Sequence, residues 1–460
     1  MGPMGFDLAS ELAAVRGREY ELYGTYVNPQ MPRMLRTIGF DKVYTRAEGA
    51  YLYDAEGNQY ADFLAGFGVF AAGRNHPVIR QALRDALDLD AAGWTQFDCP
   101  PLAARLAEKL LAKAPGLERV FFCNSGTEAV ESALKFARYA TGRGRIVYCR
   151  HGFPGLTTGS LSVNGAQEFR QGFGPLLPDA QIALGDLDAL EAELRRGDVA
   201  ALVIEAIQGH GVAIPPPGFL PAARDLLHKN GALLICDEVQ SGLGRTGKFF
   251  AYQHEDVEPD IVSVAKALSG GYVPVGATLA KGWIVEKVFS SMDRVVVHST
   301  TFKGGTLAMA AGLASLAVLE DEGLVDNAAR TGAALKAGLE ELAGKYEVLA
   351  DVRGRGLMIG IEFGKPDGMM ARTRWNALQK ARVGLFAQMI VVALFQRHRI
   401  LTQVSGDHME VIKLIPPLMV GDAEVKLFLD AFADVLADAS RGTGLMWDFG
   451  RTLIKQAVRS

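Results

Sequence analysis

The sequence predicts an α/β protein built on a mostly parallel sheet covered by helices. Short, nearly continuous apolar runs recur through the middle of the chain, and helical stretches stand between several of them. Continuous apolar runs suit strands buried on both faces, and strand–helix alternation suits a parallel sheet with helices on its faces. Strands are expected at 119–122 (RVFF), 145–149 (RIVYC), 201–207 (ALVIEAI), 232–238 (ALLICDE), 260–265 (DIVSVA) and 275–280 (VGATLA). Helices are expected at 127–140 and 220–230. Ligands of such sheets bind beyond the carboxyl ends of the strands, so polar residues directly after each run are the candidates for chemistry.

The flanks read differently. From about residue 325 a helix is followed by EVLADVRGRGLMIGIEF, two strands around a Gly-rich turn, then a long helix and VIKLIPPLMV. This is the pattern of a separate α+β domain. Near the N-terminus, AYLYDAEGNQYADFLAG resembles a hairpin on its DAEGN turn. The expected organisation is therefore 1–70 as an N-terminal part of a small domain, 71–325 as the large domain, and 326–460 as the C-terminal small domain. The tail GLMWDFGRTLIKQAVRS reads as a short amphipathic helix.

Composition excludes several function classes. The net charge of −4 lacks the basic footprint of a nucleic-acid binder. The four cysteines, Cys99, Cys123, Cys149 and Cys236, show neither CxxC nor Cys/His spacing, so neither a metal site nor a secreted disulfide framework is expected. The N-terminus is broken by charges every few residues, unlike a secretory signal, and Phe6 stands where myristoylation wants Ser or Thr. The apolar stretch at 383–395, about thirteen residues, is too short to span a bilayer and reads as a buried helix. No membrane partner and a cytoplasmic location are expected.

Three strand ends carry the chemistry. After RVFFC comes Asn124-Ser125-Gly126-Thr127 and then a helix. Free N–H groups at a helix start bind anions, phosphate most naturally; the same residues also suit an ordinary Ser or Thr cap. Asp237 ends a buried run, where a carboxylate needs a cationic partner such as a protonated ring nitrogen, or serves a cap or structural ion pair. Lys266 ends the next run, before a Gly-rich turn. It reads either as a Schiff-base amine or as a lysine snorkelling from a strand end.

The order and spacing of these three signals are more specific than any one of them. Together with AGFGVF, FFCNSGTEAVESALK, FGPLLPD, PPPGFLPAARDL, DEVQSGLGRTGKFFAYQHEDVEPDI, VRGRGLMIGIEF and IPPL, they make the chain resemble the class III (ω-) aminotransferases. The likeness runs from about residue 36 to 437 and is nearest to the putrescine and ornithine/acetylornithine branch. The resemblance implies fold type I, the aspartate-aminotransferase fold, and pyridoxal 5′-phosphate (PLP) as cofactor. It implies that Lys266 binds PLP as a Schiff base and then moves the substrate proton, and that Asp237 pairs with the pyridinium nitrogen. Ser125, Gly126 and Thr127 would hold the phosphate, Val239 would pack on the ring, and Gln240 would approach the ring's 3-oxygen. Thr301 in HSTTFKGG would reach the phosphate of a neighbouring subunit, making the site composite and the protein a homodimer.

The chain also departs from the family. The aromatic that stacks on the ring is expected at Phe153 of CRHGFPGLTTGSLS, in preference to the earlier His151. His210 replaces the second Glu of Glu-Pro-x-Gln-Gly-Glu, and Lys413 replaces the carboxylate-binding Arg ahead of Pro-Pro-Leu. Lys lacks the bidentate fork of Arg, and a neutral His cannot neutralise it as Glu would, so either the keto-acid step is altered or the carboxylate site has moved. Phe67, Val69 and Phe70 fall where relatives line the substrate entrance, though core positions read the same way. Trp94, Phe97 and Asp98 fall in a region that often crosses the dimer interface. The expected reaction is transfer of an amino group from a terminal primary amine to a keto acid, or the reverse amination of an aldehyde. Small molecules are then the partners. Rivals sharing the fold are racemases, aminomutases and decarboxylating transaminases, and a catalytically silent PLP-binding protein.

Overall fold

A computed structural model describes residues 5–93, 98–406 and 408–441. Trp94, Phe97 and the tail beginning at Gly444 lie outside them.

Near the N-terminus, β1 (Tyr44–Glu48), β2 (Tyr51–Asp54) and β3 (Gln59–Asp62) form an antiparallel meander. The hairpin between β2 and β3 turns on DAEGN, as expected. The Asp54 carboxylate accepts the N–H of Glu56 (3.1 Å) and Asn58 (2.8 Å), and Gly57 takes a φ of 82°, which suits glycine.

The central sheet comprises β4 (Arg119–Cys123), β5 (Arg145–Cys149), β6 (Ala180–Ile182), β7 (Val199–Ile204), β8 (Leu233–Asp237), β9 (Ile261–Val264) and β10 (Gly276–Ala280). Its order is β4-β10-β9-β8-β7-β5-β6. All the apolar runs expected as strands are present, and β7 to β10 are buried at every position. The sheet is parallel except for β10, which runs antiparallel to both β4 and β9. The run expected to extend to 207 ends at Ile204 instead. There Glu205 turns out of the sheet and its carboxylate accepts the Gly209 N–H at 2.7 Å. Helices Gly126–Thr141 and Phe219–Lys229 match their expected spans closely.

The C-terminal part holds β11 (Leu349–Arg355), β12 (Met358–Phe363), β13 (Ile400–Leu401), β14 (Gln403–Ser405) and β15 (Val411–Leu414). Four of these form the antiparallel sheet β11-β12-β15-β14. β13 pairs in parallel with β3, tying the two ends of the chain together. One core cluster joins Ala61 and Phe63 to Leu335, Ile361, Phe386 and Phe432. Helix Leu385–His398 is buried from Leu385 to Phe395 at every residue but Gln388, as the apolar stretch suggests. Among the described residues no single helix is long and apolar enough to cross a membrane.

One contact within the C-terminal part leaves no room for a side chain. Gly332, in helix Leu324–Ala343, faces the backbone of Gly356, and a Cβ there would overlap the Gly356 carbonyl. Backbone cannot move aside as a flexible side chain can. Gly332→Ala is expected to cost about 3 kcal/mol, checked by denaturant unfolding against wild type.

Candidate active site

Lys266 stands two residues beyond β9. Its φ of 43° is left-handed, a strained conformation for a non-glycine residue and one that clusters at functional positions. It lines a cavity of roughly 570 Å³ with Val69, Ser125, Gly126, Thr127, Phe153 and Val239. Burial pulls its amine below the ordinary lysine range, with Asp237 and Glu205 opposing. A less protonated amine is a better nucleophile.

The helix that begins at Gly126 presents its first turn to this cavity. Ser125 is its N-cap, and its Oγ accepts the Glu128 N–H at 3.3 Å. Glu128 in turn accepts the Asn124 N–H at 2.6 Å. The cap and anion-site alternatives are therefore compatible. Ser125 Oγ is spent on the cap, while the first-turn N–H groups of Gly126 and Thr127 have no carbonyl four residues back to bond. A Cβ on Gly126 would lie 2.7 Å from Val239 Cγ1, so only glycine lets the turn sit this close to Val239. Thr127 Oγ1 is fixed by the hydroxyls of Thr157 (2.7 Å) and Ser160 (2.6 Å).

Asp237 ends β8, one strand from Lys266, and is 3% exposed. It faces a small void shared with Glu205 and Gln208, and Pro154 belongs to both that void and the main cavity. Its Oδ1 accepts the Val239 N–H at 3.0 Å. Burial, then the neighbouring Glu205 charge, pushes its carboxyl well above the ordinary range; Val239 and Lys266 pull the other way. Glu205 is the residue that sequence reasoning passed over. It accepts the N–H of Phe153 and of Gly209, each at 2.7 Å, and so fixes the loops carrying the aromatic and the 209 turn. Its signal was an acid inside an apolar run expected as a strand, where a carboxylate needs partners as much as Asp237 does at the end of its own run. Tyr272, Val273 and Pro274, just after the Gly-rich turn, also line the cavity and were not singled out.

Gln240 and Lys413 form one hydrogen-bonded relay. Lys413, on β15 and 5% exposed, donates to Gly209 O (2.7 Å) and Gln240 Oε1 (3.0 Å). Gln240 Nε2 donates to Phe67 O at 3.0 Å. Burial, then Lys266, lowers the Lys413 amine to about 7, with Glu205 opposing. Between that value and the unperturbed 10.5 the unfolded chain binds the extra proton, so this group makes stability rise with pH across that window. The pH-dependent part of wild-type stability should therefore shrink in Lys413→Met between neutral and alkaline pH, read by thermal unfolding.

Other expected site residues stand elsewhere. Phe67 is exposed, with a φ of 62°. Phe70 packs beside Gly66 and Gly271, its ring 4.0 Å from the Arg74 guanidinium. His151 and His210 line a second cavity with Arg353, Glu362 and Glu410, so the structure puts Phe153, and not His151, beside Lys266. It does not bring His210 into the Lys266 cavity. Gly211 and Val212 adopt φ of 76° and 54°, and Arg353 holds both of their carbonyls, which sets the path of the turn. Thr301 is exposed and lines a further cavity with Asn124, Glu128 and His298. Among the described residues no His/Cys/Asp/Glu group could hold a metal.

The family model "Aminotransferase class-III" matches residues 37–436. The chain belongs to that family. Among its relatives are aminotransferase PigE of a Serratia species, 37% identical over 91% of this chain, and the acetylornithine aminotransferase of Methanopyrus kandleri, 40% identical over 85% of this chain. The match spans 92% of the Methanopyrus protein but only 53% of PigE, so the chain covers about half the length of that relative. Among solved structures, ornithine aminotransferase from Toxoplasma gondii superposes with a TM-score of 0.83 at 28% identity, covering 95% of this chain and 99% of that one. A PLP-bound amine transaminase from an uncultivated Pseudomonas species gives 0.74 at 32% identity, covering 86% and 95%.

The aminotransferase is thus a PLP-dependent enzyme of fold type I. Its residues suit the cofactor. A buried carboxylate held uncomfortably by burial and by Glu205 gains from a protonated ring nitrogen, and an open helix start gains from a phosphate.

Proposed function

We propose that this aminotransferase takes its amino group from a terminal primary amine, such as a diamine, an ω-amino acid or an alkyl amine, and passes it to a keto acid in a ping-pong cycle. In reverse, the same chemistry aminates an aldehyde. The observation that carries this reading is the state of Lys413. At the position where the family resemblance implies a carboxylate-binding Arg, its amine donates to two neutral carbonyl oxygens. The apolar lining from Val69, Phe153, Tyr272, Val273 and Pro274 supports a donor whose amine sits on a hydrocarbon chain.

When bound, PLP supplies an electron sink for the carbon that carries the transferred nitrogen. The chain's own residues then have distinct tasks. Gly126 and Thr127 N–H groups would hold the phosphate. Phe153 and Val239 would pack on the ring, Gln240 would approach its 3-oxygen, and Asp237 would hold its nitrogen protonated. Lys266 would bind the cofactor and move the proton at the donor's amine-bearing carbon. The donor leaves as an aldehyde or keto product, and the keto acid carries the nitrogen away as an amino acid. Thr301, exposed and outside the cavity of its own chain, supports a homodimer in which it completes the partner's site.

The altered carboxylate position favours pyruvate as acceptor over 2-oxoglutarate. The test is the rate at which each acid restores the aminated enzyme. Pyruvate is expected to act at least as well as 2-oxoglutarate, with Lys413→Arg plus His210→Glu moving the preference toward 2-oxoglutarate. An unchanged preference in that variant would sink the assignment of the acceptor.

A further inference from the structure

Lys413, Gln240, Gly209 and Phe67 form a continuous relay from the C-terminal sheet to the substrate entrance. Gly209 O and Gln240 Oε1 are both acceptors, and a neutral amine has two N–H groups, the number used here. With its oxygen turned to Lys413, the Gln240 amide must aim its nitrogen the other way, where Phe67 O takes it at 3.0 Å. Gly209 is part of the same fit: a Cβ there would lie 2.6 Å from Gln240 Oε1. The entrance segment at the far end is strained. Ala65, Gly66, Phe67 and Gly68 all have positive φ, from 48° to 86°. Two of the four are not glycine, and such a run persists only where surrounding contacts hold it. Gln240 supplies one of those contacts directly.

We propose that Lys413 is a positioning residue for Gln240 and the entrance segment 65–68, and not an anchor for the keto-acid carboxylate. The proposal rests on the aminotransferase reading above and deepens it. A lysine whose N–H groups are engaged by Gly209 O and Gln240 Oε1 offers little to a substrate carboxylate, which admits amines that have none. Lys413 also works in both halves of the cycle, because Gln240 and the entrance serve donor and acceptor alike.

The test uses the holoenzyme and four variants: Lys413→Met, which removes the donor; Lys413→Gln, which keeps N–H donors without the charge; Gln240→Ala; and the double variant Lys413→Met/Gln240→Ala. Hexylamine, which has no carboxylate, is the donor in single-turnover bleaching of the cofactor band, and pyruvate is the acceptor. Lys413→Met is expected to slow the hexylamine step about tenfold, in line with losing one buried hydrogen bond. Lys413→Gln should recover most of that loss. The double variant Lys413→Met/Gln240→Ala should be no slower than Gln240→Ala alone, because the two residues act through one contact. A second readout needs no turnover. Titration of each apoenzyme with PLP should weaken binding for Lys413→Met and Gln240→Ala by similar factors, and leave Lys413→Gln near wild type.

The proposal is overturned if the hexylamine step and PLP affinity of Lys413→Met match wild type while KM for pyruvate alone rises. That result would make Lys413 a carboxylate anchor. It is equally overturned if the Met and Gln240 effects multiply in the double variant. Failure of wild type to bleach with hexylamine, or with any other terminal amine, would count against the donor class instead. The PLP titrations and their double-variant comparison would then decide the role of Lys413.

Discussion

Lys266→Ala is expected to abolish amine transfer, lowering the rate by about ten-thousandfold or more, because one amine both binds the cofactor and moves the proton. The fold should survive. Lys266 lies just past β9 with a backbone φ of 43°, so alanine removes a buried amine without opening the sheet. The check is single-turnover bleaching alongside thermal unfolding. A variant that stays folded, binds PLP weakly through the remaining contacts and never bleaches is the expected result. Partial rescue by a small soluble amine would show that only the proton carrier is missing.

Asp237→Asn is expected to have the second largest effect, about a thousandfold in kcat, since an amide cannot hold a ring nitrogen protonated as a carboxylate does. Its effect on the apoprotein should run the other way. The Asp237 carboxyl is pushed up by burial and by Glu205, so its ionised form costs the folded state stability at neutral pH. Folded Asp237 holds its proton above the pH at which the unfolded chain loses it. The penalty therefore grows as pH rises above the ordinary carboxylate range and vanishes below it. Apo Asp237→Asn should be at least as stable as apo wild type near neutrality, with the difference closing in acid. Loss of activity together with a marked loss of apo stability would instead give Asp237 a structural role.

Much of this was legible before the fold was known. The apolar runs at 145–149, 232–238 and 260–265 are strands because nothing else of that length suits burial on both faces. Lys266 and Asp237 stood out because they end those runs, where open α/β sheets place their ligands. What the residues could not show was direction. The run at 275–280 is as apolar as its neighbours, and apolarity is the same whichever way a strand points, so the reversal of β10 was hidden. Nor could spacing show which way His210 turns. That depends on positive φ at Gly211 and Val212 and on Arg353, which arrives from β11 far along the chain. Lys413 was legible as a change of charge chemistry. Its partners were not, because a lysine implies a carboxylate only until other acceptors, here the Gly209 backbone carbonyl and the Gln240 side-chain amide oxygen, are brought within reach.

The central claim is amino transfer from a terminal amine, and the cofactor's own absorption tests it most directly. The yellow band of the purified holoenzyme would be followed during single additions of a short diamine, an ω-amino acid, hexylamine, an α-amino acid and alanine, with no acceptor present. Bleaching by the terminal amines, reversed on adding pyruvate, is the expected result. Bleaching by α-amino acids alone, or a band that shifts without bleaching for every amine, would contradict it.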